Sequence, residues 1–115
     1  MTDLNVDGMA IAPGVVETIV SLATQSVEGV LSVGDPTASG IMSMLGAKPS
    51  TQGVDVEADS DNNLHITVRL FVKNGHVLPD LAAQVRQAIA DAVSSQTGLN
   101  VASVDVFIDG ISFDN

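Results

Sequence analysis

The chain has 115 residues, with 14 acidic and four basic side chains (Lys48, Arg69, Lys73, Arg86), a net charge of −10, no cysteine, and three Phe but no Tyr or Trp. That length forms one domain with a real core, and the missing cysteine excludes disulfides and thiolate metal sites. The acidity sets the chain against phosphate backbones and anionic lipid head groups, and the scarcity of aromatics removes the stacking platforms of single-strand and RNA binders.

No apolar stretch is long enough to span a bilayer, and the start, Met-Thr-Asp-Leu-Asn-Val-Asp, lacks the basic and apolar blocks of a signal peptide. A cytoplasmic chain is expected. Its first strand is expected over roughly Val6 to Ala12, ending where Pro13 holds Ala12 extended.

Two segments share one design: strand, proline, amphipathic helix, glycine, strand. Pro13 precedes Gly29 by 16 positions and Pro79 precedes Gly98 by 19, so each pair brackets one helix of ordinary length. Proline suits the first turn and glycine the left-handed position after the last. In the first helix Val15, Val16, Ile19, Val20, Leu22, Ala23 and Val27 make a broad apolar stripe, with Glu17, Thr18, Ser21, Thr24 and Gln25 opposite. Many of these residues are β-branched, so the helix depends on packing more than on propensity. A second strand follows, about Val30 to Val33.

Gly34 to Gly53 breaks the composition with Gly-Asp-Pro, Ser-Gly, Lys-Pro-Ser and Gln-Gly, and reads as a flexible insert or lid. Ile41, Met42, Met44 and Leu45 at its centre suggest one or two helical turns. Two readings stand: a lid packed on the core, or an exposed Met-rich docking patch.

The clearest strand signal is a hairpin. Val54, Val56 and Ala58 alternate with Asp55, Glu57 and Asp59. After the Asp-Ser-Asp-Asn-Asn turn, Leu64, Ile66, Val68, Leu70 and Val72 alternate with His65, Thr67, Arg69, Phe71 and Lys73. One buried and one wet face are expected. The second helix presents Leu81, Val85, Ala88, Ile89, Ala92 and Val93, with Asp80 at the positive end of its dipole. A last strand, Val101 to Ile108, turns Val104, Val106 and Ile108 inward and Ser103, Asp105, Phe107 and Asp109 outward. The sum is β-α-β-β-β-α-β, an α+β two-layer sandwich with a mixed sheet and two helices on one face.

Little chemistry accompanies this architecture. Asp59-Ser-Asp61 opens like a calcium loop, but Leu64 and Leu70 stand where the glycine and the bidentate glutamate belong. Gly40 to Lys48 has the wrong spacing for a phosphate loop, and Pro49 replaces the metal-binding hydroxyl. His65 and His76 are the candidate bases, and neither has a partner at motif spacing. No catalytic residue, metal ligand or cofactor is assigned. An enzyme reading needs a pocket holding one of these histidines with a carboxylate in reach. The remaining feature is the outward face. Phe71 and Phe107 fall on it, and Arg69 and Lys73 flank Phe71, which is the composition of an interaction patch. Alternatively the two rings are scattered surface apolars, or lie under the 34–53 segment.

The chain resembles the alkaline-shock-protein family of Gram-positive envelope stress response proteins. Gly8-x-Ala-x-Ala-Pro13-x-Val-Val with Val27-Glu-Gly-Val30 is similar to its N-terminal signature. Gly53-Val-Asp-Val56, the strand ending at Gly75, the helix from Pro79, and Thr97-Gly-Leu99-x-Val-x-x-Val-Asp-Val106 with Gly110 are similar to its C-terminal half. The resemblance implies no known catalysis. It implies cytosolic proteins that associate with the inner membrane face through a membrane-protein partner, can self-assemble as homo-oligomers, and respond to cell-wall stress. Several short members are encoded beside a fatty-acid or dihydroxyacetone-type kinase. This chain departs from many members in its acidity and sparse lysines, and no family site residues carry over. The leading expectation is a non-catalytic adaptor or scaffold of the envelope stress response. The second is a regulatory partner of a soluble lipid-metabolism kinase or related enzyme.

Overall fold

The computed structural model describes residues 4–6, 8–34 and 53–113. The insert segment centred on Ile41, Met42, Met44 and Leu45 therefore lies outside the described residues.

Strand β5 (Leu64–Lys73) organises the molecule. Its period-two pattern turns Leu64, Ile66, Val68, Leu70 and Val72 inward, all fully buried. Strand β3 (Val30–Val33) and strand β4 (Val54–Ala58) lie end to end along one edge of β5, both antiparallel to it. Val30 and Val33 face Val72 and Leu70, while Val54 and Ala58 face Val68 and Leu64. Strand β6 (Val101–Ser112) runs parallel along the other edge. A parallel neighbour requires a crossover, supplied by helix α2 (Leu78–Thr97). Helix α1 (Pro13–Gln25) packs beside α2, against β3 and β4, and α2 packs over β6. One sheet face is thus covered by helices, and among the described residues no helix or strand covers the other.

Three of the four bracket residues act as their types dictate, but α1 ends at Gln25 with Ser26 as its cap, short of Val27 and of the expected stop at Gly29. Pro13 opens α1, Pro79 sits in the first turn of α2, and Gly98 closes α2 at φ +78. Val16, Val20, Leu81, Val85, Ile89 and Val93 supply the helical half of the core. Burial on α1 is rotated from its apolar stripe. Ser21 and Thr24 are fully buried, whereas Val15 and Leu22 stand 49% and 59% exposed. The reason is local satisfaction: Thr24 Oγ1 donates to the Val20 carbonyl, and Ser21 Oγ accepts from Gln25 Nε2. The small hydroxyl residues can therefore face the interior at little cost.

Two further differences concern the ends. The segment expected as one strand over Val6 to Ala12 is a small hairpin of β1 (Leu4–Val6) and β2 (Met9–Ile11), paired Leu4 to Ile11, with Gly8 at φ +80 in its turn. Leu4 and Ile11 join the core. The last strand runs past Ile108 to Ser112, because Asp109 forms a bulge: Leu70 pairs with Ile108 and Phe71 with Gly110.

Gly34 and Gly53 close the gap between β3 and β4. Gly34 N–H donates to the Arg69 carbonyl at 2.8 Å, and Arg69 N–H donates to the Gly53 carbonyl at 2.8 Å. A Cβ on Gly53, which sits at φ +83, would lie 2.7 Å from Gly34 N and 2.9 Å from Arg69 O. Only glycine lets the two strand ends meet there. Gly75, at φ +104, faces open space. Gly53→Ala should therefore cost at least about 3 kcal/mol, against about 1 kcal/mol for Gly75→Ala, in urea unfolding. Equal losses would contradict this account of the junction.

The turn after β4 is held by Asp59, whose Oδ1 accepts the N–H groups of Asp61 and Asn63 at 2.9 and 3.0 Å. The Asn63 N–H first, then the His65 side chain and the Asp61 N–H, hold the Asp59 carboxyl below its ordinary pKa. A depressed folded-state pKa contributes stability above the unfolded value, about 4, which is lost as pH falls through the folded value. Asp59→Asn, which cannot gain that charge, should show a urea midpoint that falls less than wild type between about pH 5 and pH 2. Parallel curves would sink the assignment.

Candidate interaction face

The outward sheet face is built from the alternate residues of β5 and their neighbours. Register places Arg69 beside Phe107 and Phe71 beside Gly110. The bulge at Asp109 brings its carboxylate onto the Arg69 guanidinium, Nε to Oδ2 at 3.0 Å and Nη2 to Oδ1 at 3.1 Å. The same guanidinium lies over the Phe107 ring, 5.0 Å from its centroid. A bidentate carboxylate fixes the plane of the arginine, and the fixed plane covers the ring. Phe107 still leaves 46% of its surface in water.

The two phenylalanines differ in role. A Cβ on Gly110 would fall 2.6 Å from Phe71 Cε2, so the Phe71 ring rests in the space that glycine leaves, and the residue is only half exposed. Lys73 stands exposed at the end of the row, opposite Ser112. Of the four residues singled out on this face, Phe107 offers open apolar surface, Arg69 fixes one side of it, and Phe71 is engaged with the sheet.

Sequence spacing gave no sign of a second cluster. His65 Nδ1 lies 3.0 Å from Ser103 Oγ, and its Nε2 lies 3.2 Å from Asp59 Oδ2. Asp59 and His65 belong to one hairpin, but Ser103 arrives from 38 residues away through the parallel pairing of β6. A carboxylate, an imidazole and a hydroxyl in a row have the connectivity of a hydrolase relay. Such a relay acts only beside preorganised oxyanion donors in a site that excludes water. Here the His65 and Asp59 side chains are 47% and 39% exposed on an open face. The row is a polar tie joining the turn, β5 and β6.

His76 is occupied differently. It projects from the turn after β5, and its ring lies about where a Cβ on Gly29 would meet it at 3.0 Å. It covers the stretch of backbone where the Gly29 carbonyl accepts the Lys73 N–H. Among the described residues no three metal-binding side chains converge, and no helix is long and apolar enough to cross a membrane.

A shallow groove of about 390 Å³ lies between the flank of α2 and β6, lined by Ala83, Arg86, Gln87, Ala90, Val101 and Val104 among others.

Similarity to known proteins follows the fold. The chain is 30% identical over 112 residues to the uncharacterized protein YqhY of Bacillus subtilis (strain 168), covering 97% of this chain and 82% of that protein. It is 22% identical over 111 residues to the uncharacterized protein Spy1535 of Streptococcus pyogenes serotype M6, covering 96% and 84% respectively. Among solved structures, the MamM CTD in its copper form superposes with a TM-score of 0.53 at 13% identity, covering 90% of each chain. A variant of the same MamM domain gives 0.52 at 14% identity, covering 86% of this chain and 98% of that one. At such identities the likeness establishes a common α+β fold alone. The family model of the alkaline shock proteins matches from residue 2 to residue 113, and the chain belongs to that family, whose function is cell-envelope related.

Proposed function

We propose that this chain is a non-catalytic adaptor of the cell-envelope stress response, working by protein–protein contact at the cytoplasmic side of the membrane. The observation that carries the reading is the outward sheet face, where Phe107 keeps 46% of its surface open beside a guanidinium fixed by Asp109. An aromatic centre with an arginine held in place is a preorganised contact, so little side-chain entropy is lost when a partner covers it. The charge of −10 argues against direct adsorption to an anionic bilayer, which leaves attachment to a membrane protein. Family membership supplies the envelope connection.

Phe107→Asp places a charge on an exposed strand position and should leave the fold intact, with thermal stability within about 1 kcal/mol of wild type. Affinity capture with tagged wild type against separate membrane and soluble extracts of its host should recover an integral membrane protein in stoichiometric amount. The same capture with Phe107→Asp should lose it. Recovery of a soluble lipid-metabolism kinase instead would move the role to metabolic regulation. Return of the bait alone would overturn the adaptor reading.

A further inference from the structure

Core-facing side chains are covered unequally across the sheet. On β5 the inward row is fully buried, yet on β6 the equivalent Val104, Val106 and Ile108 are only partly covered. The cause is geometric. Among the described residues β6 pairs with β5 alone, so its second long edge has no strand beside it. Helix α2 forms the roof of that side, and its flanking residues Ala83, Arg86 and Ala90 recur at one-turn spacing above Val101 and Val104 to form the groove of about 390 Å³. Of the four helix residues that line it, Ala83 and Ala90 are small, and Arg86 and Gln87 are long and exposed, so the space beneath the helix is bounded by small side chains and by stems that can move aside. A long strand edge with no strand beside it among the described residues is a template for strand pairing that proteins ordinarily blunt or cover.

We infer that the β6 edge and the α2 flank form an acceptor groove for one added strand, and that the occupant is an extended partner segment alternating apolar and basic residues. Period two divides the recognition. Apolar residues of the incoming strand would complete the cover over Val104, Val106 and Ile108 beneath Ala83 and Ala90, passing the aliphatic stem of Arg86. Residues on its other side would meet the outward row of β6. Asp109 in that row is already neutralised by Arg69, but Asp105 is exposed opposite Thr67 and, among the described residues, has no cation beside it. Lysine or arginine is the side chain that matches Asp105, and the field of a chain carrying −10 favours the same sign of partner. A second copy of this chain fits poorly. Its own β6 carries the apolar row but would bring further carboxylates to the same outward row, between two bodies each at −10. The incoming strand would run alongside the outward row that holds Phe107, but its backbone pairing and its inward contacts do not use that ring.

The test uses the intact chain, isotope-labelled, with three synthetic peptides of about eight residues, long enough to form a strand of ordinary length. One alternates Val and Lys, one alternates Val and Glu, and one is the Val-Lys peptide N-methylated at every backbone amide. The Val-Lys peptide should shift amide resonances of β6 and of α2 around Ala83 and Ala90, with affinity that falls as salt rises. The Val-Glu peptide should bind at least about tenfold more weakly. N-methylation of both edges should abolish binding, since a strand that cannot donate cannot join a sheet, whereas charge adsorption would not notice it. Ala83→Arg, at a helix position where arginine is a good helix former, fills the groove and should also lose at least about tenfold while the far-ultraviolet spectrum is retained. Binding indifferent to N-methylation overturns the proposal in favour of adsorption. No shift at β6 overturns it outright, and dimerisation through β6 without peptide binding replaces the partner with a second copy. Phe107→Asp, which adds a carboxylate to the row the lysines meet, should bind the Val-Lys peptide at least as tightly as wild type while losing the captured membrane partner, so failure here and failure of the adaptor reading are distinguishable.

Discussion

Both edges of β5 are hydrogen-bonded and its whole inward row is sealed, and every other element takes its place from that fact. Leu64, Ile66, Val68, Leu70 and Val72 form the floor on which α1 and α2 lie. Truncating any one of them to alanine would cost about 2–5 kcal/mol, a large share of a net stability of about 5–15 kcal/mol. The pairing on either side is of different kinds. On the β3 and β4 edge it is assembled from two short antiparallel pieces, and on the β6 edge from one long parallel run. On the first edge only the β4 piece is local in sequence, whereas β3 reaches across the chain to pair Val30 with Val72. The second depends on α2 being the right length to carry the chain back, which the twenty residues between Leu78 and Thr97 do.

Arg69 is where these constraints meet. Its backbone N–H and C=O hold the two glycines that join β3 to β4, while its side chain crosses to β6 and takes the bulged Asp109. The bulge in turn brings Gly110 under Phe71. An exposed arginine–carboxylate pair by itself contributes little to stability. Its effect is on geometry: the carboxylate sets the guanidinium plane, and the plane decides how much of Phe107 remains open. The residues of the candidate face are thus placed by backbone features, two glycines and a bulge, more than by attraction among the side chains.

This explains which parts were legible beforehand. The alternation of β5 is a direct consequence of one covered face, and Pro13, Pro79 and Gly98 report helix ends through backbone chemistry, so both could be read from residues alone, whereas Gly29 lies beyond the Ser26 cap of α1 and marks no helix end. The outward parity of Phe71, Arg69 and Phe107 followed from the same alternation. The N-terminal hairpin carried a turn signal in Asp7-Gly8, but its strands are three residues each, too short for periodicity to register. The rotation of α1 was hidden because hydroxyls satisfied within the helix lose the polarity by which a solvent face is recognised. The Asp109 bulge and the Asp59–His65–Ser103 row arise from pairing between segments about 40 residues apart, and no local pattern encodes a register across a parallel crossover.

The two unsatisfied surfaces differ in what they demand. The outward face is already tied down: His65 holds Asp59 and Ser103, Arg69 holds Asp109, and Phe71 lies on Gly110. A partner there gains the remaining Phe107 surface and disturbs little. The β6 edge is different, because among the described residues it lacks a second strand and full cover for three inward side chains, and an extended chain can supply both at once. Acidity then acts as a filter on what can approach. A net charge of −10 sets the chain against phosphates and anionic lipid and, at the β6 edge, favours segments of the opposite sign.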